Sequence, residues 1–269
     1  MNVRGGVRPG RVALIVVCVL TGLWLVLPTL VTLPVSFTAL RSFALPPPGL
    51  STQWYSNFFT DRRWLEALTN SLVVAGLTTV VATAVGTLAA LAFDRAGFRG
   101  RNVLSAMLLT PAIVPVILVG LGAYYVFLRW RLAGTIPGLV LAHSVIGIPL
   151  VVRPVSASLV SHDRRLEQAA ASLGAGPATV LRQITLPLIL PGVLAGAVFA
   201  FIGSFDEVVI SVFLTSPDLQ TLPVLMFNAV TRELDPTIAA ASSMILVFTT
   251  VLILVGMRIG GREATTRAI

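Results

Sequence analysis

The sequence predicts an all-α integral membrane protein with six transmembrane helices. Of its 269 residues, 56% are hydrophobic and only 11% charged, where soluble domains carry about a quarter charged residues. Several apolar runs exceed the roughly 18 residues that a helix needs to cross a bilayer core. The basic residues are all arginines and almost all fall between those runs. Lipid is therefore the principal solvent. The net charge of +8 reads as a topology signal rather than a nucleic-acid surface, because no recognition motif or aromatic-interleaved basic stripe accompanies it.

The expected spans are about 12–37, 67–93, 103–128, 137–160, 191–214 and 237–257. The first follows Arg4, Arg8 and Arg11 as a signal sequence would, but it exceeds the roughly 7–15 apolar residues of such a segment and lacks a clear cleavage site. An even number of spans puts both termini on one side. Twelve arginines lie on the side of the termini (4, 8, 11, 95, 99, 101, 164, 165, 182, 258, 262 and 267) and six on the other (41, 62, 63, 129, 131 and 232). The positive-inside rule then places both termini in the cytoplasm. Cys18, alone in the chain and inside the first run, excludes an intrachain disulfide and a thiolate metal cluster.

Two connections are long enough to carry structure. Outside, Arg41 to Glu66 holds Pro46-Pro47-Pro48-Gly49, an extended linker, followed by Trp54, Tyr55, Phe58, Phe59 and Trp64, which suit a short interfacial surface helix. Within the spans, Pro111 and Pro115 in the third and Pro149 and Pro154 in the fourth predict kinks. Gly192, Gly196, Ala200 and Ser204 recur every four residues in the fifth, as do Ala82, Gly86 and Ala90 in the second. Such small-residue stripes allow close helix approach in lipid.

The inner connection, Ser161 to Leu190, carries more chemistry. Leu166, Ala169, Ala170 and Leu173 fall at i, i+3, i+4 and i+7, one apolar face of a short helix with Asp163 as N-cap and Gly174 as its left-handed end. Pro177 starts a second short helix running to Ile184, which Leu186-Pro187 stops. This pattern fits docking on a partner protein or rest on lipid headgroups, and periodicity alone leaves both open.

Gln168-Ala169-Ala170, three residues, Gly174, nine residues and then Ile184-Thr185-Leu186-Pro187 resembles the EAA loop of binding-protein-dependent ATP-binding-cassette (ABC) importer permeases of the type I importer class. The resemblance extends over the second to sixth spans. It implies a cytoplasmic coupling helix between helices 4 and 5, through which Glu167, Gln168, Ala169, Ala170, Gly174, Ile184, Leu186 and Pro187 dock on an ABC ATPase subunit. Gln168 stands where the family has its acid, preceded by Glu167; it keeps hydrogen-bonding capacity without the charge. A second permease subunit, an external solute-binding protein and ATP-driven alternating access follow from the same resemblance. The chain has neither a phosphate-binding loop nor a lysine to complete one, so hydrolysis belongs to another subunit; no cofactor and no metal or catalytic residue is expected.

Asp206 and Glu207 lie about fifteen residues into the fifth run. If the run is one helix, Glu207 shares the Gly196/Ala200/Gly203 face and Asp206 the Phe199/Ile202 face. Carboxylates at such depth are costly and usually face a cavity. The segment Ser204-Phe205-Asp206-Glu207 to Ser211, with Leu222-Pro223, is similar to the spermidine/putrescine transport permease branch. That similarity implies a polycationic solute, with Asp206, Glu207, Phe205, Tyr124 and Phe213 offering charge and cation–π contacts. A structural capping role for the acids is the alternative. His143 and His162 stand apart from other metal-ligating residues and read as structural.

The expected organisation is an N-terminal helix and outer segment (1–65), a permease core of five helices (66–260) and a cytoplasmic tail (261–269) in a bacterial inner membrane. Alternatives are the same architecture for an opine, phosphonate, sulfate or ferric iron, or a self-sufficient channel or secondary carrier, for which the inner loop has no purpose.

Overall fold

The computed structural model describes residues 9–95, 97, 99–161, 163–232 and 235–266; His162 lies outside them. The regular elements among the described residues are helices: α1 (Pro9–Ser36), α2 (Gln53–Thr60), α3 (Arg62–Arg95), α4 (Arg101–Leu109), α5 (Val116–Trp130), α6 (Ile136–Ser161), α7 (Arg165–Ser172), α8 (Pro177–Val180), α9 (Leu186–Phe205), α10 (Val209–Leu214), α11 (Leu222–Arg232) and α12 (Thr237–Thr266). Among the described residues β-pairing is confined to isolated bridges at Thr38–Leu50 and Ser216–Leu219. Four helices are long and apolar enough to cross a membrane, and up to six if each of two bent pairs counts as one span.

The chain divides into two compact units, residues 1–61 with 229–248 and residues 62–228 with 249–269. In the first, the segment after α1 turns back on itself. Ser51 N–H donates to Phe37 O at 2.7 Å and Ala39 N–H to Gly49 O at 3.0 Å. Trp54 Nε1–H donates to Thr38 O at 2.7 Å, Tyr55 OH meets Ser36 Oγ at 2.7 Å, and Asn57 Nδ2–H donates to Thr237 Oγ1 at 2.8 Å. The expected surface helix is therefore half core. Of the four aromatic rings on α2, Trp54 and Phe58 are buried, Tyr55 is half-buried and Phe59 is exposed. A Trp whose indole N–H finds a carbonyl inside loses nothing by burial.

The second unit is built on α3, α6 and α9, held together by the predicted small-residue stripes. A Cβ on Gly86 of α3 would lie 2.8 Å from Val151 Cβ, and one on Gly196 of α9 2.9 Å from Val151 Cα. Gly192 is likewise tight against Ser158 and the carbonyl of Pro154. Because apolar burial gains little where the surroundings are lipid, close backbone approach and dispersion supply the cohesion. Val151, Val155, Ile189 and Ala200 form the fully buried centre.

Three sequence expectations change. The third run is not a kinked rod: Arg101–Ala112 and Val116–Trp130 meet at 99°, with a 3₁₀ turn at Thr110–Ala112 between them. Pro111 and Pro115 both withhold an N–H there, and the ladder breaks instead of bending. In α6, by contrast, Pro149 and Pro154 stay inside one continuous span, flanked by α3 and α9. The helix begun at Pro177 does not stop at Leu186-Pro187 but continues to Phe205 as a single 29-residue span. A π turn over Leu181–Thr185 intervenes, with Leu186 N–H donating to Leu181 O. The wider i→i+5 spacing lets the chain pass Pro187 without the carbonyl clash that ends ordinary helices.

Candidate functional site

Two groups of sequence-marked residues gather at separate places in the second unit. The first is the loop between α6 and α9. Asp163 Oδ1 accepts from Arg165 N–H at 2.9 Å, satisfying a free donor of the first turn of α7. The helix closes as the glycine predicts: Gly174 has φ +90, with Ala175 N–H donating to Ala170 O and Gly174 N–H to Ala171 O, both at 3.0 Å. This 6→1 and 5→2 pair is a Schellman closure. No residue of α7 is buried. Leu166 is 50% and Leu173 89% exposed, so the apolar face is uncovered among the described residues.

Glu167 turns the other way. Arg95 Nη2–H donates to Glu167 Oε1 at 2.8 Å and to Thr185 Oγ1 at 2.7 Å, and Thr185 Oγ1–H donates to the same carboxylate oxygen at 2.6 Å. Beside them Arg164 Nη2–H donates to Asp94 Oδ1 at 2.6 Å and to Asp94 O at 3.1 Å. Adjacent residues at the end of α3 thus hold both ends of the first turn of α7, and Thr185 brings in the π turn that starts the long span. Each ion pair alone is worth at most about 1 kcal/mol at this exposure. Together they tie the loop to the end of α3 and to the π turn that precedes α9. Gln168 is exposed beside this network; Ile184 and Leu186 are half-buried and Pro187 exposed. Glu167, Gln168, Ala171, Ala175 and Val180 line a concave space of about 430 Å³ between α7 and α8. Arg95, which no motif marks, and Thr185, which stands in the loop motif without an assigned role, complete the cluster; only tertiary contact shows that they meet Glu167.

The second group surrounds Asp206. The fifth run is not one helix. It ends at Phe205, where Asp206 (φ −93, ψ 2) is the C-cap, and a new helix starts at Val209. Glu207 Oε1 accepts from Ile210 N–H at 2.8 Å, capping that new helix. The assumption that both acids lie on one continuous helix therefore fails: Asp206 closes the last turn of α9, its N–H donating to Ile202 O at 3.0 Å, and Glu207 lies beyond that helix. Asp206 is exposed and Glu207 half-buried at the break. Among the described residues neither is ion-paired with an arginine. Phe205 is 3% exposed and stacks on Phe201, with centroids 5.8 Å apart, so its ring belongs to the packing. Tyr124 of α5 is 37% exposed, and one turn earlier Gly120 lets α5 approach Ile210 and Phe213 of α10.

His143 of α6, read from the sequence only as structural, spans the same break. Its Nδ1 lies 2.8 Å from Ser204 Oγ at the end of α9 and its Nε2 3.0 Å from Ser211 Oγ in α10. Both serines and the imidazole are buried, so a neutral ring with one N–H and one free nitrogen is fully satisfied.

Residues 82–262 match the family model of the binding-protein-dependent transport system inner membrane component. The chain belongs to this family. It is an inner-membrane, multi-pass and non-catalytic permease subunit of an ABC importer. It is 32% identical over 231 residues to the spermidine/putrescine transport system permease protein PotC of Escherichia coli strain K12, covering 86% of this chain and 87% of the relative. To the putrescine transport system permease protein PotI of the same strain it is 34% identical over 205 residues, 74% and 73% of the two chains. In fold it is similar to a bacterial ABC transporter that imports the acidic polysaccharide alginate, with a TM-score of 0.73 at 16% identity over 93% of this chain and 94% of that one. The alginate transporter in complex with its pentasaccharide-bound periplasmic protein gives a TM-score of 0.72 at 17% identity, covering 94% and 96%.

Proposed function

We propose that this permease admits a polyamine of the spermidine or putrescine class, delivered by an external solute-binding protein, together with a second permease subunit and ABC ATPase subunits on the cytoplasmic side. The observation that carries the reading is the break after Phe205, which leaves Asp206 exposed and Glu207 half-buried, with no arginine paired to either among the described residues. An unneutralised carboxylate pair within an otherwise apolar run favours a cation. The identity to PotC and PotI over most of the chain supports the same solute class. Tyr124 is the accessible aromatic suited to a cation–π contact, while Phe205 stiffens the wall behind the acids.

The loop supports the coupling role. A short helix whose leucines are exposed and whose first turn is tied to two spanning helices is suited to plug into a moving partner and pass its motion inward. In this reading the exposed face of Leu166, Gln168, Ala169 and Leu173 meets the ATPase, Ala170 and Gly174 shape the closure, and Ile184, Leu186 and Pro187 carry the motion into the long span. Glu167 holds the device to α3 instead of meeting the ATPase. In the same reading residues 66–260 form the permease core, and the arginine distribution supports a cytoplasmic loop and cytoplasmic termini.

The test is binding-protein-stimulated ATPase activity and uptake in proteoliposomes holding the full complex. Spermidine or putrescine is expected to stimulate, and Asp206→Asn with Glu207→Gln to weaken apparent affinity for the polyamine at least tenfold. Unchanged polyamine uptake in the double variant, or stimulation only by an uncharged or anionic solute, would overturn the solute class and leave the permease architecture standing.

A further inference from the structure

Away from both groups, α3, α4 and α6 enclose a cavity of about 410 Å³ whose polar lining is Asp94, Arg101, Asn102, Ser105, Arg153 and Ser156. Arg153 is the unusual member. It stands inside a spanning helix, eight residues before the end of α6 at Ser161, or about 12 Å along the axis. Charged side chains at such positions pair with an opposite charge or face a polar cavity. Among the described residues neither Arg153 nor Arg101 makes a hydrogen bond or ion pair, and the one acid in the lining, Asp94, is engaged by Arg164 at 2.6 Å. The cavity thus holds two unmatched guanidinium groups, with the amide of Asn102 and the hydroxyls of Ser105 and Ser156 as further donors.

This electrostatic sign excludes a cation and calls for an anion with several acceptor oxygens. The surroundings narrow the choice. Val160 at the cavity is 84% exposed, and Val103 and Met107 on α4 are 59% and 65% exposed, so the polar recess opens beside apolar surface. A molecule with an anionic head and an acyl tail matches both parts. A guanidinium binds a phosphodiester through paired N–H donors, and basic recesses between spanning helices at a membrane face suit anionic headgroups.

We propose that Arg153 and Arg101, with Asn102, form a binding site for the phosphate of an anionic phospholipid, its acyl chains lying over Val160 and α4. The site is separate from the Asp206 break and does not depend on the solute proposed above. An occupied headgroup would lie between α4, α3 and α6, next to the Asp94 that Arg164 engages.

The test uses the full transporter complex, purified from nanodiscs containing equal phosphatidylglycerol and phosphatidylethanolamine, with retained phospholipid counted by native mass spectrometry. Retention of phosphatidylglycerol in preference to phosphatidylethanolamine is expected, falling about fivefold with either Arg153→Gln or Arg101→Gln. Arg153→Lys should keep most of the preference. Arg129→Gln, whose guanidinium lies 4.6 Å over the Tyr125 ring and not in the cavity, should leave it unchanged. Variants are compared only where the complex elutes as one species. In delipidated complex, stabilisation by inorganic phosphate over chloride that disappears in Arg153→Gln would assign the same oxyanion site to a free ion. Equal retention of the two lipids by the unaltered protein, with no phosphate response, would overturn the proposal.

Discussion

Gly196 of α9 packs so closely on Val151 of α6 that a Cβ added to the glycine would stand 2.9 Å from the Val151 Cα. The obstacle is backbone, so rotamer changes cannot relieve it. Gly196→Ala is expected to destabilise the permease by about 1–3 kcal/mol through overpacking, lowering the thermal unfolding midpoint in detergent. Gly76 of α3 is the internal contrast, since nothing lies within 4 Å of its added Cβ. Gly76→Ala should be neutral or stabilising by about 0.5–1 kcal/mol. Equal effects of the two variants would contradict the close-packing account of the α3/α6/α9 core.

The cap of the exposed loop helix offers a change that acts on the backbone alone. Gly174 has φ +90 and open space around it, so Gly174→Ala meets no neighbour and pays only for the left-handed conformation, about 1–2 kcal/mol. The expected result is a frayed α7 and weakened co-purification of the ATPase subunit, with the detergent melting temperature of the permease nearly unchanged. A large drop in that melting temperature with full ATPase retention would place the glycine in the fold and not in docking.

Arg95, Glu167 and Thr185 should behave as one unit. A double-mutant cycle of Arg95→Ala and Glu167→Gln is expected to show a coupling of about 0.5–1 kcal/mol in stability, limited by partial exposure. The larger effect belongs to transport: loosening the loop from α3 and α9 should let ATP hydrolysis continue while solute moved per ATP falls. Strictly additive single effects on both readouts would show the contacts to be incidental.

His143→Leu removes the shared partner of Ser204 and Ser211 across the break in the fifth run. Leaving buried hydroxyls without that partner costs about 1–3 kcal/mol, measured as a lowered unfolding midpoint. His143→Asn, which restores hydrogen-bonding capacity at smaller reach, should recover part of the loss. Loss of the same size in both variants would point to packing volume rather than hydrogen bonding.

How much was legible in advance differs by element. The Gly174 cap, the apolar face of α7 and the stripes on α3 and α9 all appear as spacing, because each depends on residues within one or two helical turns. The fifth run departs from the expected single helix at both ends. Apolar composition marks membrane depth and not helical continuity, so it could not show that a π turn carries the helix past Pro187 or that Glu207 caps a new helix at Ile210. The aromatic cluster at Trp54 and Phe58 suits a surface helix by composition, and the burial of both depends on contacts such as the Thr38 carbonyl that accepts the indole N–H, which no local spacing shows.

The sequence by itself determined the solvent, the all-helical class and the loop motif, since hydropathy over about twenty residues and spacing over four are properties of the local chain. Tertiary structure alone decided which groups meet. Arg95 finds Glu167 across 72 positions, His143 reaches Ser204 across 61, and Arg101 shares a cavity with Arg153. Such meetings depend on how helices cross: the spacing of Gly86, Gly192 and Gly196 marks faces that allow close approach, but only the tertiary structure decides that α6 is the helix packed against them.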